Sequence, residues 1–243
     1  CAPSALSGRY VLTARAPRKL HRLGASIGAM LHPQGAQALL AARLHDAFGE
    51  IDIYVFDQIL KGRFDSCRRI LDAGCGEGRN LHYLLAQGKA CFGIDRAPQA
   101  IEEVRALAAR LAPGLPPANF VAGEIDALPW PDGHFDAVIC SAVLHFSRDV
   151  RHFDAMVDEM WRVTASGGML FARLASVYPP EPGTAPVDAG RRVRNPDGSE
   201  RFVVDADMLL ARTARLGGHL LDAIKTTVVH EQRAMTTWVV RKP

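Results

Sequence analysis

Glycine at three alternate positions, Gly74, Gly76 and Gly78, directly after the short apolar run Arg69–Ala73, is the feature that most restricts this chain. A strand entering such a turn can bend sharply, and a ligand can approach the bare backbone because no side chain intervenes. A helix after the turn would offer unpaired N–H groups to an anionic group such as a carboxylate. The spacing is G-x-G-x-G. It departs from the dinucleotide pattern G-x-G-x-x-G, because Arg79 stands where the third glycine of that pattern permits close helix–strand packing.

Strand-like and helical runs alternate from there. Glu77–Gln87 has helical spacing at Leu81, Leu84 and Leu85, Ala90–Ile94 reads as a second strand, and Pro98–Leu111 as a helix opened by proline. Asn119–Ala122 and Phe135–Ser141 read as the next strands, then a helix over Val150–Val163 and a fifth strand, Met169–Leu174. This order predicts an α/β fold with a doubly wound, mostly parallel sheet and right-handed crossovers. The ending differs: after a helix at Ala206–Arg215, the runs Leu220–Val229 and Arg233–Arg241, broken by His230-Glu231-Gln232, predict an antiparallel C-terminal hairpin on the sheet edge. Val177–Arg201, rich in Pro, Gly, Arg and Asp, reads as a long loop of the kind used as a lid or binding segment. Upstream, Ile51–Phe64 places Tyr54, Phe56, Ile59 and Phe64 at roughly helical spacing, either for core packing or to cover a cleft.

A chain of 243 residues suits one sizeable α/β domain, here expected over 46–243. Six of the 29 basic residues and none of the 26 acids lie in residues 1–45, which leaves the rest of the chain three acids in excess. That Arg-bearing, acid-free segment reads either as transit-peptide-like or as a poorly ordered extension, and its weak amphipathic order favours the second. The net-acidic body argues against a nucleic-acid partner. No run approaches the roughly 20 apolar residues of a membrane span. The five cysteines, Cys1, Cys67, Cys75, Cys91 and Cys140, contain no C-x-x-C pair, which argues for a reducing compartment, the cytoplasm, and against a metal site.

The second strand ends at Asp95, 17 residues beyond Gly78. A carboxylate there can accept both hydroxyl hydrogens of a ribose. With these residues in place, Ile70-Leu71-Asp72-Ala73-Gly74-Cys75-Gly76-Glu77-Gly78 resembles the first motif of the class I S-adenosylmethionine-dependent methyltransferases, and Gly93-Ile94-Asp95 the second. Gly123–Val138 is similar to that family's adenine-side loop leading into strand four. Glu159–Gly168 is similar to its turn into strand five, with Ser166 where a proline is common. The resemblance covers roughly residues 67–175.

It implies a Rossmann-like methyltransferase fold with S-adenosylmethionine as cofactor. Gly74 and Gly76 would carry the methionine part, with Asp72 near its amino group and Asp95 on the ribose. Glu124, with Asp126 as the nearby substitute, and the Ile125 N–H would face the adenine, and Ser141 the methionine end. The tail from His230 to Lys242, Gly78-Arg79-Asn80 and Val143-Leu144-His145-Phe146 resemble the narrower tellurite-resistance methyltransferase group.

An activated sulfonium methyl needs little beyond in-line positioning of a nucleophile and exclusion of water, so an SN2 transfer to a small-molecule acceptor is expected. His145, Arg173, His230 and Arg233 are the candidates for shaping the acceptor site. His145 could deprotonate or orient an acceptor, or be a satisfied structural histidine. Arg173 could bind an anion or pair with the 177–201 loop. His134, His152 and His219 read as surface residues. Two other classes stay open: an NAD-dependent oxidoreductase, and a non-catalytic cofactor-binding module.

Overall fold

The computed structural model describes residues 33–177, 185–186, 191–194, 198–229 and 233–243, with no side-chain detail for 33–40 and 185–186. Two units are distinguished, residues 1–46 and 47–243. Helix α1 covers Pro33–Phe48, so residues 33–45, read above as part of an irregular extension, are helical. Residues 1–32 lie outside the described residues.

The larger unit is a mixed eight-stranded sheet. Five strands, β1 (Arg69–Ala73), β2 (Ala90–Asp95), β3 (Phe120–Ala122), β4 (Phe135–Ser141) and β5 (Thr164–Ala175), run parallel in the order β3-β2-β1-β4-β5. Helices α2 (Ile53–Leu60), α3 (His82–Ala86), α4 (Pro98–Leu111) and α5 (Val150–Val163) pack around it.

Alternation sorts the strands onto two cores, because successive side chains of a strand point to opposite faces. Leu71, Val138 and Leu170 join Phe153, Met160 and Trp238 on one face. Their neighbours Ile70, Ala137 and Phe171 join Val55, Leu84 and Val104 on the other. With both faces covered, the parallel strands are apolar over most of their length, the charged exceptions being Arg69, Asp72, Asp95, Asp136 and Arg173. Helix α5 shows the matching helical pattern, burying Phe153, Met156, Val157, Met160 and Trp161, and Asp149 caps its start by accepting from the His152 N–H at 2.8 Å.

The predicted second helix is shorter than its spacing suggested. Gly74, Gly76 and Gly78 all have positive φ (82°, 52° and 88°), and hydrogen-bonded turns, Gly78 N–H to Cys75 O and Leu81 N–H to Gly78 O, use up residues 75–81. Only His82–Ala86 is helical, so no helix N-terminus meets the turn. Gly78 itself packs closely: an added Cβ would stand 2.6 Å from Val104 Cγ2 and 2.9 Å from Leu107 Cδ2 of α4. The tight packing that a dinucleotide motif assigns to its third glycine is made here one residue earlier than Arg79.

The region 177–201 is not a plain loop. It contributes β6 (Ala185–Pro186), β7 (Arg192–Arg194) and β8 (Glu200–Phe202), a small antiparallel sheet tied back by a bridge between Ser176 and Val204. Helix α6 (Ala206–Arg215) follows, capped by Asp205, and a short β9 (His219–Leu220) leads into β10 (Lys225–Val229) and β11 (Arg233–Arg241). These last two form the expected antiparallel hairpin. Strand β11 lies inside, between β5 and β10, and antiparallel to both. Among the described residues no helix is long and apolar enough to cross a membrane.

Candidate active site

The carboxyl ends of the parallel strands meet at a cleft of about 410 Å³. It brings together Gly74, Asp95, Glu124, Ile125 and Ser141 from the residues singled out in the sequence, with Arg79, Arg96, Ala142, Phe146 and His152 beside them. Gly74 fits because its missing side chain makes room for Val143, whose Cγ2 would lie 2.3 Å from an added Cβ. Ala142 is the non-glycine residue with positive φ (63°) among those described, and it sits in the cleft wall directly after β4, where such backbone strain is often found at ligand sites.

The turn and the β2 tip form one unit. The Gly76 N–H donates to Asp95 Oδ2 at 3.0 Å, and the Ala97 N–H donates to Oδ1 at 3.0 Å. One lone pair on each oxygen is thereby used to fix the carboxylate, and each oxygen retains another for a ligand. Gly76 otherwise faces open space, with nothing within 4 Å of an added Cβ.

Asp72 does not line the cleft. It is fully buried in β1 with no hydrogen bond of ordinary geometry to either carboxyl oxygen. Burial pushes its pKa up to about 8, while neighbouring Arg79 and Asn80 pull in the opposite direction. Of the adenine-side alternatives, Glu124 lines the cleft, whereas Asp126 faces His152 Nε2 (3.5 Å) and Arg148 (4.0 Å). His152, read from sequence as a surface residue, is half-buried in the cleft wall because that carboxylate draws it in.

The acceptor candidates separate. His145 and Arg173 are not among the cleft-lining side chains. His145 is 7% exposed, its Nδ1 has no partner, and burial, then the charges of Arg201 and Arg173, hold its pKa down to about 4. Among the described residues Arg173 pairs with Asp52: its Nη1 donates to Asp52 Oδ2 at 3.0 Å, and its Nε is buried without a partner. Arg233 is exposed at the first position of β11, away from the cleft. His230 lies outside the described residues.

Sequence reasoning missed Asp52. It is 6% exposed, caps α2 by accepting from the Tyr54 N–H at 2.9 Å, and also accepts from Ser141 Oγ at 3.0 Å and from Arg173. An acid ahead of an apolar helical run signals an N-cap in the sequence, but the reach to Ser141 and Arg173 is made only in the fold. Tyr54 stacks under Arg173, whose Cζ is 5.0 Å from the ring centroid, and its hydroxyl lies 2.5 Å from Thr227 Oγ1 of β10. Helix α2 packs into the core through Val55, with Tyr54 and Ile59 against the same cluster, the first of the two roles open for it, and none of its residues lines the cleft.

A parallel sheet ordered β3-β2-β1-β4-β5, extended by an inward antiparallel strand, with a glycine turn and an acid at adjoining strand tips, defines the class I methyltransferase scaffold. Comparison with known proteins agrees. Residues 71–172 match the family described as "Methyltransferase domain". A malonyl-[acyl-carrier protein] O-methyltransferase of Serratia marcescens is 31% identical over 63% of this chain and 58% of its own length. A 2-heptyl-1-hydroxyquinolin-4(1H)-one methyltransferase of Mycobacteroides abscessus is 31% identical over 58% of this chain and 61% of its own. The chain thus spans about three fifths of these curated relatives. Among solved structures, the Burkholderia thailandensis 1,6-didemethyltoxoflavin-N1-methyltransferase, with 1,6-didemethyltoxoflavin and S-adenosylhomocysteine bound, superposes with a TM-score of 0.61 at 17% identity, covering 96% of this chain and 98% of that one. Residues 71–172 match that methyltransferase family, and the solved neighbour shares the fold of the larger unit.

Proposed function

We propose that the chain binds S-adenosylmethionine and transfers its methyl group to a small-molecule acceptor. The observation that carries this reading is the Gly76–Asp95 clamp at the cleft, whose carboxylate keeps a lone pair on each oxygen for the ribose hydroxyls. Asp72, buried behind that lining, would face the ligand's ammonium group, which would relieve the cost of burying its carboxyl. The open side of Gly76 leaves room for an extended ligand along the turn.

When bound, S-adenosylmethionine supplies an already activated methyl group. The protein's share is positioning. Gly74 and Gly76 give access to the backbone, Asp95 accepts from the ribose hydroxyls, and Glu124 and the Ile125 N–H flank the adenine. The Ser141 hydroxyl donates to Asp52, which leaves its oxygen free to accept at the methionine end.

On the acceptor side His145 and Arg173 would shape the pocket from behind the cleft lining, and burial, which holds the His145 pKa down to about 4, makes that imidazole a poor proton acceptor. Arg233, away from the cleft, is a weaker candidate than either. The substrates named for the Mycobacteroides relative and the Burkholderia neighbour, a hydroxyquinolone and a toxoflavin precursor, support a small acceptor. The net-acidic body supports the absence of a nucleic-acid partner, and four buried free thiols support a reducing, cytoplasmic setting.

Calorimetry with S-adenosylhomocysteine and, separately, NAD tests the cofactor. Heat with the first alone is expected, and heat with NAD alone would move the chain to the oxidoreductase class. A screen of acceptors, chalcogen oxyanions included, that follows S-adenosylhomocysteine release tests the transfer. Cofactor binding without transfer to any acceptor would leave a binding module.

A further inference from the structure

Two guanidinium groups lie over one phenyl ring at the cleft. Arg96 Cζ is 5.9 Å and Arg201 Cζ 4.8 Å from the Phe146 ring centroid. The three residues come from separate parts of the chain: Arg96 follows the β2 tip, Phe146 closes a helical turn after β4, and Arg201 stands in the middle of β8. Phe146 and Arg96 line the cleft, and the ring is still 48% exposed.

Among the described residues neither guanidinium has a carboxylate partner, whereas Arg63, Arg162, Arg212 and Arg215 each pair with an acid. Arg201 Nη1 donates to the Glu200 carbonyl at 3.0 Å, which holds the group in place and leaves its charge intact. Stacking on Phe146 steadies both cations without neutralising either. Like charges gathered on one ring repel, and an anion placed between them would turn that repulsion into attraction. Guanidinium also presents its donors in a planar fork that matches an oxyanion.

We propose that Arg96 and Arg201 form an oxyanion-recognition site at the cleft mouth, and that the methyl acceptor carries a carboxylate or phosphate on an apolar or planar body that lies along Phe146. This deepens the methyltransferase reading and rests on it. It also gives the inserted β6–β8 sheet a purpose, since β8 delivers one half of the clamp.

The test titrates benzoate, phenyl phosphate and benzamide into the wild-type protein and into R96Q, R201Q and R201K, each with and without S-adenosylhomocysteine. Thermal melts check that the variants are folded. Millimolar binding of at least one anion is expected, with none by benzamide. R96Q and R201Q should each weaken it about tenfold, as loss of a charge-assisted hydrogen bond does. R201K should retain more binding than R201Q, and in both Arg201 variants affinity for S-adenosylhomocysteine should stay within about twofold, since Arg201 does not line the cofactor cleft. Tighter binding of phenyl phosphate than of benzoate assigns a phosphate, and the reverse a carboxylate. The proposal fails if benzamide binds as well as benzoate, if neither anion binds at millimolar concentration, or if the Arg201 substitutions weaken S-adenosylhomocysteine instead of the anion. Failure of the underlying reading shows separately, as absence of S-adenosylhomocysteine binding to the wild type.

Discussion

Asp52 and Arg173, 121 positions apart, meet through a 3.0 Å contact between Oδ2 and Nη1, and the same oxygen accepts from Ser141. A carboxylate that is 3% exposed at its side chain and a guanidinium that is 17% exposed form a largely dry ion pair. Such pairs add little net stability when intact, but losing one member leaves the other charge buried and uncompensated. Asp52→Ala should therefore destabilise the protein by about 3 kcal/mol, from the orphaned Arg173 and the lost α2 cap together. Asp52→Ala combined with Arg173→Met should recover part of that loss in chemical denaturation. No recovery would mean that the two side chains are not energetically coupled.

Asp95→Ala should weaken S-adenosylhomocysteine binding by at least about 1.5 kcal/mol, because a charge-assisted acceptor is removed and the Gly76 and Ala97 N–H groups lose their anchor. Titration calorimetry measures this, and an unchanged dissociation constant removes the ribose role.

Asp72 and His145 give opposite pH signatures. Asp72, with its pKa raised to about 8, favours folding at low pH, and that stability is lost as pH rises from the ordinary carboxyl value near 3.8 to about 8. His145, with its pKa lowered to about 4, contributes stability above pH 6.5 that is lost as pH falls from 6.5 to about 4. The two trends offset each other where they overlap. Single variants separate them: relative to wild type, Asp72→Asn should lose stability at acid pH compared with pH 8, and His145→Leu should gain at acid pH compared with pH 7. Denaturant midpoints at several pH values report both.

The same carboxyl makes a ligand-linked prediction. If a ligand ammonium meets Asp72, the carboxyl ionises on binding, so S-adenosylhomocysteine should release a proton near pH 7, up to about one per site. Binding enthalpies in buffers of different ionisation heat should show the release in wild type and not in Asp72→Asn.

The three glycines of the turn should respond unequally to alanine. Gly78→Ala meets Val104 and Leu107 at under 3 Å as well as an unfavourable φ of 88°, and should cost about 2–4 kcal/mol. Gly76→Ala has open space and a φ of 52°, so about 1 kcal/mol is expected. Equal losses by denaturant titration would show that backbone conformation alone governs the turn.

What the sequence revealed was what is local. The glycines, Asp95 and the strand order follow from spacing within a few tens of residues; of these, Gly74 and Asp95 line the cleft, while Gly78 packs against α4. Asp52 stayed hidden because its partners lie across the fold, and only the N-cap signal marked it. The β6–β8 sheet escaped because strands of two or three residues leave no period to detect. Helix α3 was read too long because Leu81, Leu84 and Leu85 keep a helical spacing even where the glycine turn has taken up the backbone. His145 and Arg173 stand at the strand ends where the sequence put them but outside the cleft lining, since a strand end does not say which side chain will face the cleft.

Strand β11 fills an inner position and pairs with β5 from Met169 to Ala175. Without it one flank of β5 would be left unsatisfied, an open sheet edge. Lys242 then fastens the closure, its backbone exchanging hydrogen bonds with Gly167 and Gly168 and its ammonium group donating to the Trp161 and Thr164 carbonyls. Removing the β11 pairing would leave a chain able to make the glycine turn yet open to pairing with other chains, so aggregation and not lost chemistry is the first harm expected from disrupting this strand.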